Sequence, residues 1–170
     1  MEETFCDAIG LKIFGDSFVH AFHYLLAPGL GGERSLFYPP LPTRAQFMVD
    51  HGGLDFPRLG YPDFPSEFQE LQPNLSPDRK FISRAADEIA KAMAADLYVE
   101  ATNKITQTAS DLVPDKSAEA EIPTMFKRGI PSRQPRSLSD ILNAGWAFVR
   151  TEGETHDSGE RPLFHAYLDG

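Results

Sequence analysis

The stretch SPDRKFISRAADEIAKAMAADLYVEATNKITQT, residues 76–108, decides the fold. Ser76 before Pro77 is a helix start, with Ser at the N-cap and Pro at the first helical position, where a missing N–H costs nothing. From there Ile82, Ala86, Ile89, Met93, Leu97, Ala101 and Ile105 recur every three or four residues, the spacing of one helix face, and predict a helix from about Asp78 to Thr108. Ala86 and Ala101 lie on that seam with Ala90 and Ala94 beside it. Small side chains there let another helix approach closely, and Met93 fills an uneven gap. The first helix of the chain is the expected neighbour. Pairing with a second copy competes, although the seam lacks charged flanks in heptad register.

Working outward from this helix, the pattern stays helical. Residues 2–14 carry Phe5, Ile9 and Ile13 at intervals of four, with Leu11 and Phe14 widening the apolar stripe. Gly15 offers a C-cap, Asp16 or Ser17 caps a second segment, and Phe18 to Leu26 is apolar on most sides before Pro28 stops it. Residues 33–77 are rich in Pro and aromatics without alternating apolar runs, so no sheet is expected. Thr43 to Gln46 has capping-box form and opens a short helix through Phe47, Met48 and Val49 to Gly52-Gly53; a further short helix is expected over Ser66 to Leu71. The aromatics are expected to cover the first two helices, an aromatic groove for Pro-rich or carbohydrate ligands being the alternative. Ser137-Leu138-Ser139-Asp140 is a second capping box, opening a helix with Leu138, Ile141, Leu142, Gly145 and Val149 on one face and Trp146 as a core anchor. The tail from Pro162 to Leu168 is short and apolar. The expectation is an all-α, irregular multi-helix domain with Pro-rich loops, residues 1–170 forming one domain.

Composition narrows the function classes. A net charge of -9 repels phosphate backbones and anionic lipid, which argues against nucleic acid and membrane as partners and leaves a protein partner. Lys127, Arg128, Arg133 and Arg136 form a basic stretch, but no aromatic interleaving or Gly-rich phosphate loop accompanies them, so internal pairing or solvation is expected. The single cysteine, Cys6, excludes an internal disulfide framework and fits a reducing compartment; with no basic leader and no apolar run of spanning length, the chain reads as cytoplasmic.

The chemistry suggested by the sequence sits in Glu2-Glu3-Thr4-Phe5-Cys6-Asp7-Ala8-Ile9-Gly10. On a helix, Glu3, Asp7 and Gly10 share one face, and carboxylates four residues apart repel unless a cation, a metal or water offsets them. The bland explanation is an acidic first turn favoured by the helix dipole. The sharper one is a resemblance to the second metal-binding helix of thermolysin-like, Glu-ligand zincin metallopeptidases, in which a ligating Glu is followed by three residues, an Asp, two residues and a Gly. The resemblance implies the helical part of a zincin, with Glu3 as zinc ligand. It also implies that Asp7 accepts the ring N–H of a ligating histidine, and that Gly10 admits a close helix. A looser similarity, to microbial proteins in which such a helix precedes a Phe-Gly-x-Ser segment (here Phe14-Gly15-Asp16-Ser17) and a hydrophobic run, extends to Asn143-Ala144-Gly145-Trp146 and implies no function.

The chain departs from the zincin pattern in one decisive respect. A His-Glu-x-x-His helix supplies two ligands and the general base, and none of His20, His23, His51, His156 or His165 belongs to one. The resemblance therefore implies either the C-terminal part of a longer protein, with zinc bound only if the missing segment is supplied, or a descendant that has lost the chemistry. Asp16, His20 and His23 lie within two turns of one helix, a weak metal arrangement beside the ordinary reading of two hydrogen-bonded histidines. Two expectations result: ancestry in the helical half of a zinc metallopeptidase without catalytic residues on this chain, and present use as a non-catalytic interaction or structural module.

Overall fold

A computed structural model describes residues 2–26, 38–71, 73–115, 121–125, 128 and 137–150, and the backbone of 151–155. The fold is all-α: the described residues form helices α1 (Glu2–Phe14), α2 (Asp16–Leu26), α3 (Leu41–His51), α4 (Pro77–Thr108), α5 (121–125) and α6 (Leu138–Thr155), with 3-10 turns at Phe64–Glu67 and Ser110–Leu112. The chain divides into two compact units, Met1–Ser110 and Asp111–Gly170.

In the first unit α1 touches α2, α3 and α4, and its longest interface is with α4, the neighbour that the small residues of α4 called for. The stripe of α4 that meets the body is Ala90, Ala94, Tyr98 and Ala101, all buried. Ile82, Ile89 and Met93, expected on the packed seam, are instead 65%, 55% and 38% exposed. The reason is geometric: Ala90, Ala94 and Tyr98 each follow a seam residue by one position, about 100° round the helix, so the two rows meet only at Ala101, and alanines permit the closer approach.

Between α1 and α2 the chain turns on Gly15, whose φ of 53° is costly for any residue with a Cβ. The Gly15 N–H bonds Leu11 O at 2.8 Å, closing α1, and the fold-back lays the Phe18 ring over Gly10, where a Cβ would run into it. Gly10 thus admits a close neighbour, though it is a ring of the next helix.

Two expected elements differ. α3 begins at Leu41 rather than after Thr43, and no side chain of Pro40 caps it; Glu70 Oε2 accepts the Leu41 N–H at 2.9 Å from 29 residues away. That replaces a local cap by a distant one carrying the charge a helix start favours. The helix expected over Ser66 to Leu71 is only the 3-10 turn Phe64–Glu67, after which Phe68 is extended. Its role is to plant aromatics. Phe64 is fully buried, with ring centroids 4.9 Å from Phe56, 5.0 Å from Phe68 and 6.2 Å from Phe22 of α2. The Pro-rich segment therefore covers α2, each buried ring removing apolar surface worth about 1.5–3 kcal/mol from water.

In the second unit the capping box at the start of α6 forms in both directions. The Asp140 N–H donates to Ser137 Oγ and the Ser137 N–H to Asp140 Oδ2, each at 3.1 Å. The other oxygen, Asp140 Oδ1, accepts the Asp115 N–H at 2.7 Å, and Ser139 Oγ donates to Leu112 O at 3.1 Å. Among the described residues of this unit, Ile122 and Ala144 form a buried apolar pair. Leu138, Ile141 and Leu142 are exposed and Trp146 is half-buried, so the buried side of α6 is its Ser139, Asp140, Asn143 and Ala144 side. Hydrogen bonds of Ser139 and Asp140 anchor the start of the helix to the preceding segment. Lys127, Arg133, Arg136 and the tail beyond 155 lie outside the described residues, and Arg128 is exposed.

Candidate functional site

Asp7 projects from the buried side of α1 and is 2% exposed. Arg44 reaches it from α3 in a two-pronged bond, Nε to Oδ2 at 2.8 Å and Nη2 to Oδ1 at 2.7 Å. Glu3 Oε2 lies 3.4 Å from the same Nη2 at the rim, its side chain 32% exposed. The guanidinium also sits 5.2 Å from the Phe22 ring centroid, so α2 contributes a face to the cation. From α4, Tyr98 closes the cluster and rests 5.5 Å from the His51 ring. Thr4 Oγ1 and Tyr98 Oη are buried without a hydrogen-bond partner among the described residues. Glu3, Asp7 and Gly10 do share a face, as their spacing requires, and Asp7 and Gly10 are covered by protein.

The electrostatics follow from burial. Loss of water pushes the Asp7 carboxyl above the ordinary carboxylate range; the bonds and charge of Arg44 pull it part of the way back, and Glu3 adds to the upward push. Burial pulls the Arg44 guanidinium down, yet its bonds to Asp7 and the charges of Asp7 and Glu3 outweigh that and leave it above its ordinary value. Burial first, then Asp7, hold the Tyr98 phenol far above its ordinary value, so Tyr98 stays neutral.

This donor set does not fit zinc as it stands. Both Asp7 oxygens already accept from a guanidinium, and a divalent cation beside Glu3 would sit against the positive charge of Arg44. Arg44 takes the place that the zincin resemblance gives to a ligated imidazole. The arrangement ties α1 to α3.

The histidines are drawn into a second cluster. His20 Nδ1 lies 3.0 Å from Tyr61 Oη, and His23 stacks on the same tyrosine with centroids 4.5 Å apart and places Nε2 3.8 Å from Glu67. Asp16 faces away to accept a 2.7 Å bond from Arg58 Nη2. Asp16 is thus engaged apart from the two histidines, which share Tyr61, and among the described residues no group of three or more His, Cys, Asp or Glu is placed to hold a metal.

Arg44 and Tyr98 are the site residues that a reading of the sequence passes over. One signal for Arg44 exists: it lies on the apolar stripe of α3, one turn after Leu41 and one before Met48, where a solvated cation has no reason to be. The two acids also separate experimentally. Glu3→Gln is expected to change stability by less than about 1 kcal/mol, as for a rim ion pair, whereas Asp7→Asn, which strands one guanidinium N–H in a buried site, costs about 2 kcal/mol or more. Urea denaturation of the two variants checks this; equal losses would remove Asp7 as the anchor.

Fold and site together define an all-helical protein tied through a buried Asp–Arg pair. Compared with protein-family models, curated proteins and solved structures, the chain finds no match. No described helix is long and apolar enough to cross a membrane.

Proposed function

We propose that this chain is a non-catalytic helical interaction module that presents the outer flank of α4 to a protein partner. The observation that carries it is the exposure of that helix. From Asp78 to Ile89 no residue of α4 is buried, and Phe81, Ile82, Ile89 and Val99 are each more than half exposed. A helix with apolar residues on a solvated side is a recurrent binding element. The polar sites support the same reading, because the acids and histidines singled out by the sequence are engaged by Arg44, Arg58, Tyr61 and Glu67. The ancestry in the helical half of a zinc metallopeptidase is part of the proposal as descent only, supported by the Glu3, Asp7 and Gly10 spacing, with no zinc chemistry assigned to this chain.

The test is photo-crosslinking in cells with benzoylphenylalanine placed at Ile89, and at Asn103, an exposed polar position of the same helix, as control. A discrete adduct from position 89 and none from 103 is the expected result. No adduct from position 89 above the control would end the proposal.

A further inference from the structure

We infer that the partner of α4 is a second copy of this chain, packed antiparallel along the seam from Arg79 to Asp96; this rests on the interaction reading above and gives it an occupant. Seam positions Arg79, Ile82, Ala86, Ile89, Met93 and Asp96 are spaced three, four, three, four and three residues apart. That is the alternation of a helix-packing seam, and it reads the same in both directions. It spans about 27 Å of helix. Every one of these residues keeps exposed surface, and of Ile82, Ile89 and Met93 the most covered is Met93, 38% exposed where the body of the protein begins.

The order of the residues fixes the orientation. Laid antiparallel on its own copy, the strip sets Ile82 against Met93 in the two outer apolar layers and Ala86 against Ile89 in the two inner ones, where a small residue meets a large one. Arg79 then meets Asp96 at both ends. Laid parallel, Arg79 would meet Arg79 and Asp96 would meet Asp96, with Ala86 on Ala86 leaving a gap. The terminal charges add little attraction in water but penalise the wrong direction, which is how exposed charges act at helix pairs. Ala85 and Ala92 flank the strip with small side chains, and Arg84 and Lys91 point to the opposite side of the helix. Those two cations therefore stay outside the contact.

Four apolar layers bury less than a standard interface, so the dimer is expected to form at about 10–100 µM protein rather than at nanomolar concentration. Sedimentation equilibrium of the full chain tests it. The apparent mass rises from 18.9 kDa towards twice that value with concentration. Ile89→Asp weakens association more than about tenfold by placing a charge in an apolar layer. Arg79→Glu, which sets two acids opposite one another, also weakens it, and Arg79→Glu with Asp96→Arg restores it. Far-UV circular dichroism of each variant confirms that α4 is intact, which is expected because none of these side chains is buried. A mass that stays monomeric, a dimer indifferent to Ile89→Asp, or a double reversal that fails to rescue would each overturn the antiparallel self-pairing. Adducts from position 89 to a different protein, with the pure chain monomeric, would leave the interaction reading standing and remove only this one.

Discussion

Replacing Arg44 by Met is expected to destabilise the protein by about 3–5 kcal/mol at neutral pH, because it leaves the Asp7 carboxylate buried without its counter-charge. The melting temperature should fall by on the order of 10 °C. The loss has a pH signature. Asp7 already titrates above its ordinary value of 3.8 because burial disfavours the charge, and Arg44 is what restrains that rise. Without the guanidinium the folded-state value climbs further. A carboxyl whose folded pKa exceeds its unfolded pKa contributes stability that is fully present below the unfolded value and is lost as pH rises through the folded one. The Arg44→Met deficit should therefore be smallest near pH 4, grow as the pH rises, and flatten once Asp7 is ionised in the variant. The part that persists in acid is packing, since the guanidinium covers the Phe22 ring. Denaturation curves from pH 4 to 7.5 on both proteins measure this. A second variant tests the charge argument: Asp7→Leu combined with Arg44→Met should be more stable than Arg44→Met alone, because no buried charge remains unpaired. A pH-independent deficit that the double variant does not relieve would make Arg44 a packing residue only.

This pair also shows where the sequence stops being legible. The limits of α1, the turn at Gly15, the start of α4 and the capping box of α6 are local, and each follows from residues within one or two turns of one another. The buried side of α1 does not. Its stripe of Phe5, Ile9 and Ile13 is half-buried, while Thr4, Asp7, Ala8, Gly10 and Leu11 face the core. An acid on a core face makes sense only with its cation, and that cation lies 37 residues away on another helix. The start of α3 failed for a related reason, since its cap comes from Glu70. On α4 the three- and four-residue spacing identified the helix, but two apolar strips fit that period. Periodicity cannot say which strip meets the body; the smaller side chains of Ala90 and Ala94 won that contact and left Ile82, Ile89 and Met93 to solvent, while Ala101 of the expected seam is buried. The family resemblance rests on the spacing of Glu3, Asp7 and Gly10, which the fold uses to seat a guanidinium and a phenyl ring.

Phe64→Ala is expected to cost about 3–5 kcal/mol, the second large effect. Phe64 has no exposed surface and stands at the centre of the aromatic layer, with Phe22, Phe56, Tyr61, Phe68 and His23 around it. It also sits on the 3-10 turn that packs against α3, so truncation opens a cavity between α2, α3 and the Pro-rich segment. Those walls are held from several directions: Glu70 caps α3, and Arg44 ties α3 to α1. The surroundings therefore collapse little into the gap, which places the cost toward the upper end of the range. Phe64→Leu, which keeps most of the volume, should cost clearly less. Two readouts separate a local cavity from general unfolding. The denaturation midpoint should drop with an unchanged slope. The ring-current shift that Tyr61 imposes on His23 should diminish, because Phe64 packs against both rings. Backbone amides of residues 79–89 should exchange at the same rate as in the parent chain, since that part of α4 has no buried residue. A cost below about 1 kcal/mol would mean that the aromatic layer is not what holds the Pro-rich segment to the helices.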